Sequence, residues 1–125
     1  MTEGKKTGIE RADQTGRLSV VATATEGIRV VAPAGEIDHD SGDALRRALD
    51  ARDDPRPRIV VDMRQVTFMD SSGINIFIAA HRAVSEAGGW LRLAAPGETV
   101  RRTLSLVGVD AVIDCRDTLR QALGD

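Results

Sequence analysis

A chain of 125 residues, 42% hydrophobic and 29% charged, has the balance of one ordinary globular domain with a real core. A formal net charge of −2 leaves no general electrostatic footprint for nucleic acid, and two Phe, one Trp and no Tyr argue against a base-stacking surface. No apolar run approaches the roughly 20 residues that span a bilayer, residues 1–17 have lysines but no apolar h-region and so are not read as a secretory signal, and the single cysteine, Cys115, fits a reducing compartment, so a cytoplasmic protein is expected.

Residues 1–16 are polar, of mixed charge and without periodicity, and read as a flexible leader; the folded domain is expected over residues 17–125. From Arg17 the run Leu18–Thr23 alternates and is β-branched, which predicts a strand. Thr25-Glu26-Gly27 supplies a turn into a second strand, Ile28–Ala32, and Pro33 weakens its end or places it on an edge. The stretch Gly35–Gly42 is a loop in which Ser41 or Asp40 is set to cap a helix over about 42–52, with Leu45, Ala48 and Leu49 inward. Pro55 and Pro57 end it.

Ile59–Met63 is apolar at successive positions, as in a strand buried on both faces. A polar corner then leads to Asp70-Ser71-Ser72-Gly73 and the longest helix, Ser72–Ala87, whose core stripe is Phe77, Ala80, Val84 and Ala87. Trp90–Ala94 predicts a strand and Glu98–Val107 a helix with Val100, Leu104 and Val107 inward. Val109–Cys115 predicts a short strand, and Asp117–Leu123 a last helix capped by Asp114 or Asp117. The order β-β-α-β-α-β-α-β-α is that of a single α/β domain. Its opening hairpin and alternating elements imply a mixed, mostly parallel sheet of about five strands with four helices.

The chemistry concentrates at Asp70-Ser71-Ser72-Gly73. Asp70 is a good N-cap, which leaves Ser71 and Ser72 in the first helical turn with hydroxyls near solvent, and Gly73 offers room for close approach. The plain structural alternative is that these four residues only start a helix. A hydrolase elbow requires G-x-S-x-G, and the flanks here are Asp70 and Ile74. His81 lies too far along the same helix to serve Ser72, and His39 has no orienting third group at a demanding spacing. Asp38, Asp40 and Asp43 lack the rest of a calcium-loop pattern, phosphate-cradling glycine loops are absent, and no metal or cofactor is called for. Ser72 fits better as a substrate: a phosphoryl group there adds about −1.5 to −2 charge at a helix N-terminus that tolerates it.

The run Val60-Val61-Asp62, then Val66-Thr67-Phe68-Met69-Asp70-Ser71-Ser72-Gly73-Ile74, resembles the signature of STAS-domain anti-sigma factor antagonists. Gly35-Glu36-Ile37-Asp38 resembles the second motif of that family, and the likeness extends over about 17–123. The resemblance implies a small cytoplasmic STAS-like α/β domain, not an enzyme, that works by partner switching. Unphosphorylated, it binds an anti-sigma factor that is also a serine kinase and so frees a sigma factor. The kinase phosphorylates the serine before the motif's glycine, here Ser72, and a serine phosphatase reverses this. By the same matching Asp38, Asp70, Ser71, Ser72 and Gly73 line the docking surface. The helical wheel adds Asn75, Ile76 and Ala79 on the outward side of the helix. With so few aromatic residues, affinity is expected to rest on small-residue packing and polar contacts. The other reading is a STAS-like accessory or scaffold subunit of a transporter or signalling complex, without serine phosphorylation. Neither nucleic acid nor membrane insertion enters either reading.

Overall fold

The computed structural model describes residues 9–124. Its elements are β1 (Ile9–Thr15), β2 (Leu18–Thr25), β3 (Ile28–Ile37), α1 (Asp43–Leu49), β4 (Arg58–Asp62), β5 (Gln65–Met69), α2 (Ser71–Glu86), β6 (Trp90–Ala94), α3 (Glu98–Leu106), a 3-10 turn (Val109–Ala111), β7 (Asp114–Arg116) and α4 (Leu119–Leu123). The sheet runs β1-β2-β3-β4-β6-β7, with β5 beside β3 as well. The first three strands pair antiparallel and the rest parallel, so the predicted mixed α/β architecture with four helices is present. It has seven strands instead of about five.

The two additional strands have separate causes. Ile9–Thr15, inside the stretch read as a flexible leader, pairs with β2 as an edge strand, while residues 1–8 lie outside the described residues. Its side chains are mostly polar because an edge needs backbone pairing and no apolar stripe. Strand β5 sits in the stretch taken for a polar corner. There β4 stops after pairing with Arg29–Val31, and the chain steps along the same side of β3 to pair Gln65–Met69 with Ala34–Ile37. Pro33 falls between these two ladders, where the neighbour on that side changes, which is how β3 passes through a proline in the middle of the sheet. The β2–β3 hairpin turns on Glu26 and Gly27, both at positive φ, the twist a two-residue loop demands.

Alternation along the strands divides the core in two. Ile59 and Val61 of β4 and Leu91 and Leu93 of β6 join a large cluster with Leu45 and Leu49 of α1, Ile74 and Phe77 of α2, and Val100 and Leu104 of α3. Val60 and Ala94 point to the other face and meet Ala122 of α4, with Trp90, Leu119 and Leu123 packed around them. Thus β4 is buried on both faces, as its unbroken apolar run implies.

The C-terminal end differs from the sequence reading. Val109–Ala111 turns as 3-10 helix, and the strand starts only at Asp114, so Ala111-Val112-Ile113 is not a strand. Ile113 alone of that trio is buried, which removes the alternation a strand needs. Val107, expected inward, is 57% exposed because α3 ends one residue earlier. The cap of α4 is Thr118, whose hydroxyl accepts from the Gln121 amide at 3.0 Å, in place of Asp114 or Asp117.

Candidate functional site

The register of β3 and β5 builds the site. Pairing of Ile37 with Met69 sets the ends of the two strands side by side, and the Asp70 amide donates to the Ile37 carbonyl at 3.1 Å. Each strand then delivers one half: β3 leads into the turn 38–42 and α1, β5 into Asp70 and α2.

On the β5 side, Asp70 is the N-cap of α2. Its Oδ1 accepts from the Ser72 amide at 2.8 Å, and its carbonyl accepts from the Gly73 and Ile74 amides. Helix formation therefore begins at Ser71, one residue before the predicted start. Ser71 is exposed and Ser72 half-buried. Neither hydroxyl hydrogen-bonds to another described residue. Both hydroxyls are thus uncommitted in the first turn of a 16-residue helix, where added negative charge is favoured.

Three predicted roles change on this helix. Gly73 is buried: a Cβ there would meet Met69 Cγ at 2.5 Å and Ile37 Cγ2 at 2.9 Å, so the missing side chain admits the sheet beneath and not a partner above. Ile76, expected on the outward strip, is 5% exposed. It turns toward α1 and packs on Gly42, where a Cβ would stand 2.7 Å from Ile76 Cδ1. Ala87, expected inward, is exposed because the helix ends at Glu86. Asn75 and Ala79 are exposed, as the wheel implies. Together with Ile76 and Ala83 they line a cleft of about 600 Å³ between α2 and α1, whose other wall includes Arg46 and Leu49.

On the β3 side, Asp38 and Ser41 tie the turn together. Asp38 Oδ1 accepts from the amides of Asp40 and Ser41 and from the Ser41 hydroxyl, at 3.0, 3.0 and 2.9 Å. Ser41 Oγ is also 2.7 Å from the Glu36 carbonyl and accepts from the Asp38 amide at 2.9 Å. Ser41 is 1% exposed, so these bonds replace water at a buried hydroxyl. Neither Ser41 nor Asp40 caps α1; the N-cap is Gly42, without a side-chain bond, because the Ser41 hydroxyl is engaged inside the turn. The Ser41 hydroxyl, the Asp40 and Ser41 amides and the His39 charge hold the Asp38 carboxyl below the usual carboxylate range.

Among the described residues neither histidine hydrogen-bonds to Ser71 or Ser72. His39 is exposed with Nε2 3.3 Å from Asp40, and His81 lies ten positions along α2 from Ser71. Among the described residues no group of three or more His, Cys, Asp or Glu side chains is gathered for a metal, and no helix is long and apolar enough to cross a membrane. Phe68 escaped sequence reasoning. It is 47% exposed and backbone-paired with Glu36, one row from the Ile37–Met69 pair. The β-type run Val66-Thr67-Phe68-Met69 carried the signal for its strand.

A family model described as the STAS domain matches residues 19–122. The chain is 27% identical over 99 residues to an anti-sigma F factor antagonist of Paenibacillus polymyxa, covering 78% of this chain and 85% of that one. It is 31% identical over 81 residues to the anti-sigma-B factor antagonist of Bacillus subtilis, covering 65% and 74%. Among solved structures, an anti-sigma factor antagonist from Mycobacterium paratuberculosis superposes with a TM-score of 0.76 at 30% identity, over 85% of this chain and 91% of that one.

Proposed function

The chain belongs to the STAS domain family, and from that premise we propose that it is an anti-sigma factor antagonist controlled by phosphorylation at the start of α2. Unphosphorylated, it binds an anti-sigma factor and displaces a sigma factor; phosphorylated, it lets go. The names carried by its relatives support the partner class. The observation that carries the switch is the Ser71-Ser72 pair, two uncommitted hydroxyls at a capped helix N-terminus. Sequence matching selects Ser72 as the acceptor. Exposure favours Ser71, which is exposed while Ser72 is half-buried.

In this reading the anti-sigma factor is itself the serine kinase. The serine Oγ attacks the γ-phosphorus of its ATP, the bond to ADP breaks, and the hydroxyl proton passes to a base on the kinase. Helix α2 tolerates the new dianion, so the fold survives. The interface does not, because bulk and charge enter a desolvated contact. A loss of ~3 kcal/mol there is about a hundredfold in affinity. A separate serine phosphatase hydrolyses the ester and restores binding. The protein acts in the cytoplasm, performs no catalysis and holds no cofactor of its own. Asp38 supports the surface from the turn, and Asp70 fixes the start of α2.

Incubation with the anti-sigma factor kinase and ATP should add one phosphate, read by mass spectrometry. Ser71→Ala should abolish labelling while Ser72→Ala retains it; the reverse result returns the acceptor to Ser72. Labelling that persists in the double variant rejects the site. Co-purification with a membrane complex, without any anti-sigma factor, would favour the accessory-subunit reading instead.

A further inference from the structure

Four large apolar side chains stand exposed among the described residues: Phe68, Leu106, Val107 and Val112. Helix α3 runs back from the end of β6, so Leu106, Val107 and Val112 lie around its far end, away from Ser71. Phe68 lies at the site. Two residues separate it from Ser71, and its strand partner is Glu36, whose carbonyl lies 2.7 Å from Ser41 Oγ. It therefore borders both halves of the site, the Asp38 turn through Glu36 and the α2 start through Asp70.

The other rings of the chain are occupied. Phe77 is fully buried, and Trp90 is half-buried under the Arg92 guanidinium, 3.8 Å from the ring centroid. Of the two Phe and the Trp, only Phe68 falls among the exposed large hydrophobic residues, at 47%. Val66 and Met69 both point into the core with Ile37, because the register shift that leaves Thr67 unpaired breaks the alternation between them; Phe68, next to Met69, faces the other side of the sheet. Helix α4 covers that face over β4 and β6, around Val60 and Ala94, and no part of β5 belongs to that cluster. Among the described residues β5 has only β3 as a strand neighbour. An exposed ring forgoes burial energy in the free protein, and aromatic residues dominate the few positions that carry most of an interface's affinity.

We propose that Phe68 is the aromatic anchor of the interface with the anti-sigma factor, which offers an apolar cleft for the ring while its adjoining surface covers Ser71 and the 38–42 turn. This inference rests on the function proposed above and adds a residue to it. Continuity supports it: along the backbone one row of the sheet, Ile37 with Met69, separates Phe68 from the Asp38 turn and Asp70. Small-residue packing along α2 is then not the main source of affinity.

Titration calorimetry with the purified anti-sigma factor kinase tests this. Phe68→Ala should weaken binding by about 30-fold or more, the equivalent of roughly 2 kcal/mol. Its melting temperature should remain near that of wild type, since Phe68 is exposed in the free protein. With the same kinase, KM for the variant should rise by a similar factor with kcat retained. Phe68→Trp gives a second readout: its emission should move to the blue when the partner is added, over the constant signal of Trp90. Phe68→Ala binding as wild type while Ser71→Asp loses affinity overturns the anchor and leaves the phosphorylation switch standing. Unshifted emission from the Phe68→Trp variant in a complex that forms also overturns it. Failure of the wild-type protein to bind removes both.

Discussion

A methyl group at position 73 separates two accounts of the Asp70–Gly73 corner. If glycine served a partner's approach, Gly73→Ala would cost affinity and leave stability alone. The structure places that face against Met69 and Ile37, with two contacts under 3.0 Å for any Cβ. Ile37 Cγ2 branches directly from a strand Cβ and has little freedom to give way. Overpacking of this kind costs ~1–3 kcal/mol, against a gain of up to ~1 kcal/mol from replacing glycine in a helix. Gly73→Ala should therefore destabilise by about 1–2 kcal/mol in urea titration, with the Ser71 hydroxyl still open to the kinase. Unchanged stability with lost binding would restore the partner-facing account. Ile76 shows the same limit of a helical wheel. The wheel ranks directions around α2 but not which neighbour occupies each, and α1 covers the Ile76 direction.

Among the elements, the turn between β3 and α1 depends most on one buried group. Ser41→Ala removes the acceptor of the Asp38 amide and the hydroxyl hydrogen available to Asp38 Oδ1 or the Glu36 carbonyl. An unsatisfied buried group costs ~1–3 kcal/mol, so denaturation midpoints should fall accordingly. Hydrogen exchange should accelerate at the Asp38 amide while the amides of β4, buried on both faces, keep their protection. Equal exchange in variant and wild type would show that the turn stands without the hydroxyl. That network was not legible from sequence, because Ser41 beside a helix start reads as a cap and only the fold shows its hydroxyl turned inward. Elements with strong periodicity or continuous apolar character were legible: β2, β4, β6, the body of α2, and the cap at Asp70. Strands held chiefly by backbone pairing were not. Strand β1 carries polar side chains along an edge, and β5 begins at Gln65, only two residues after β4 ends, too close to look separate from a corner. The serines stand out as candidates from composition and position, but their relative exposure depends on where the cap sets the first helical residue.

For the molecule as a whole, the ionisable groups set a stability window with different causes at its two ends. At the acid end, a side-chain hydrogen bond is the leading cause that lowers each of four carboxyls: Arg47 for Asp13, Ser41 for Asp38, Arg52 for Asp50 and Arg116 for Asp114. Their folded values lie below the unfolded value of about 3.9. Their contribution is complete above that pH and is lost as pH falls through the folded values. At the alkaline end, burial raises the Cys115 thiol to about 11, and its Sγ lies 3.4 Å from the Ile113 carbonyl. The unfolded thiol ionises near 8.5. Between about 8.5 and 11 the unfolded chain thus holds fewer protons than the folded one, and stability falls as pH rises. Few other groups compete in that interval: the chain has no Tyr, its only lysines are Lys5 and Lys6, and arginine stays protonated. Melting temperature should be level between about pH 5 and 8 and decline below about 4 and above about 8.5. Cys115→Ala should flatten the alkaline decline while leaving the acid one in place. An alkaline decline of the same slope in Cys115→Ala would assign it to groups other than the thiol.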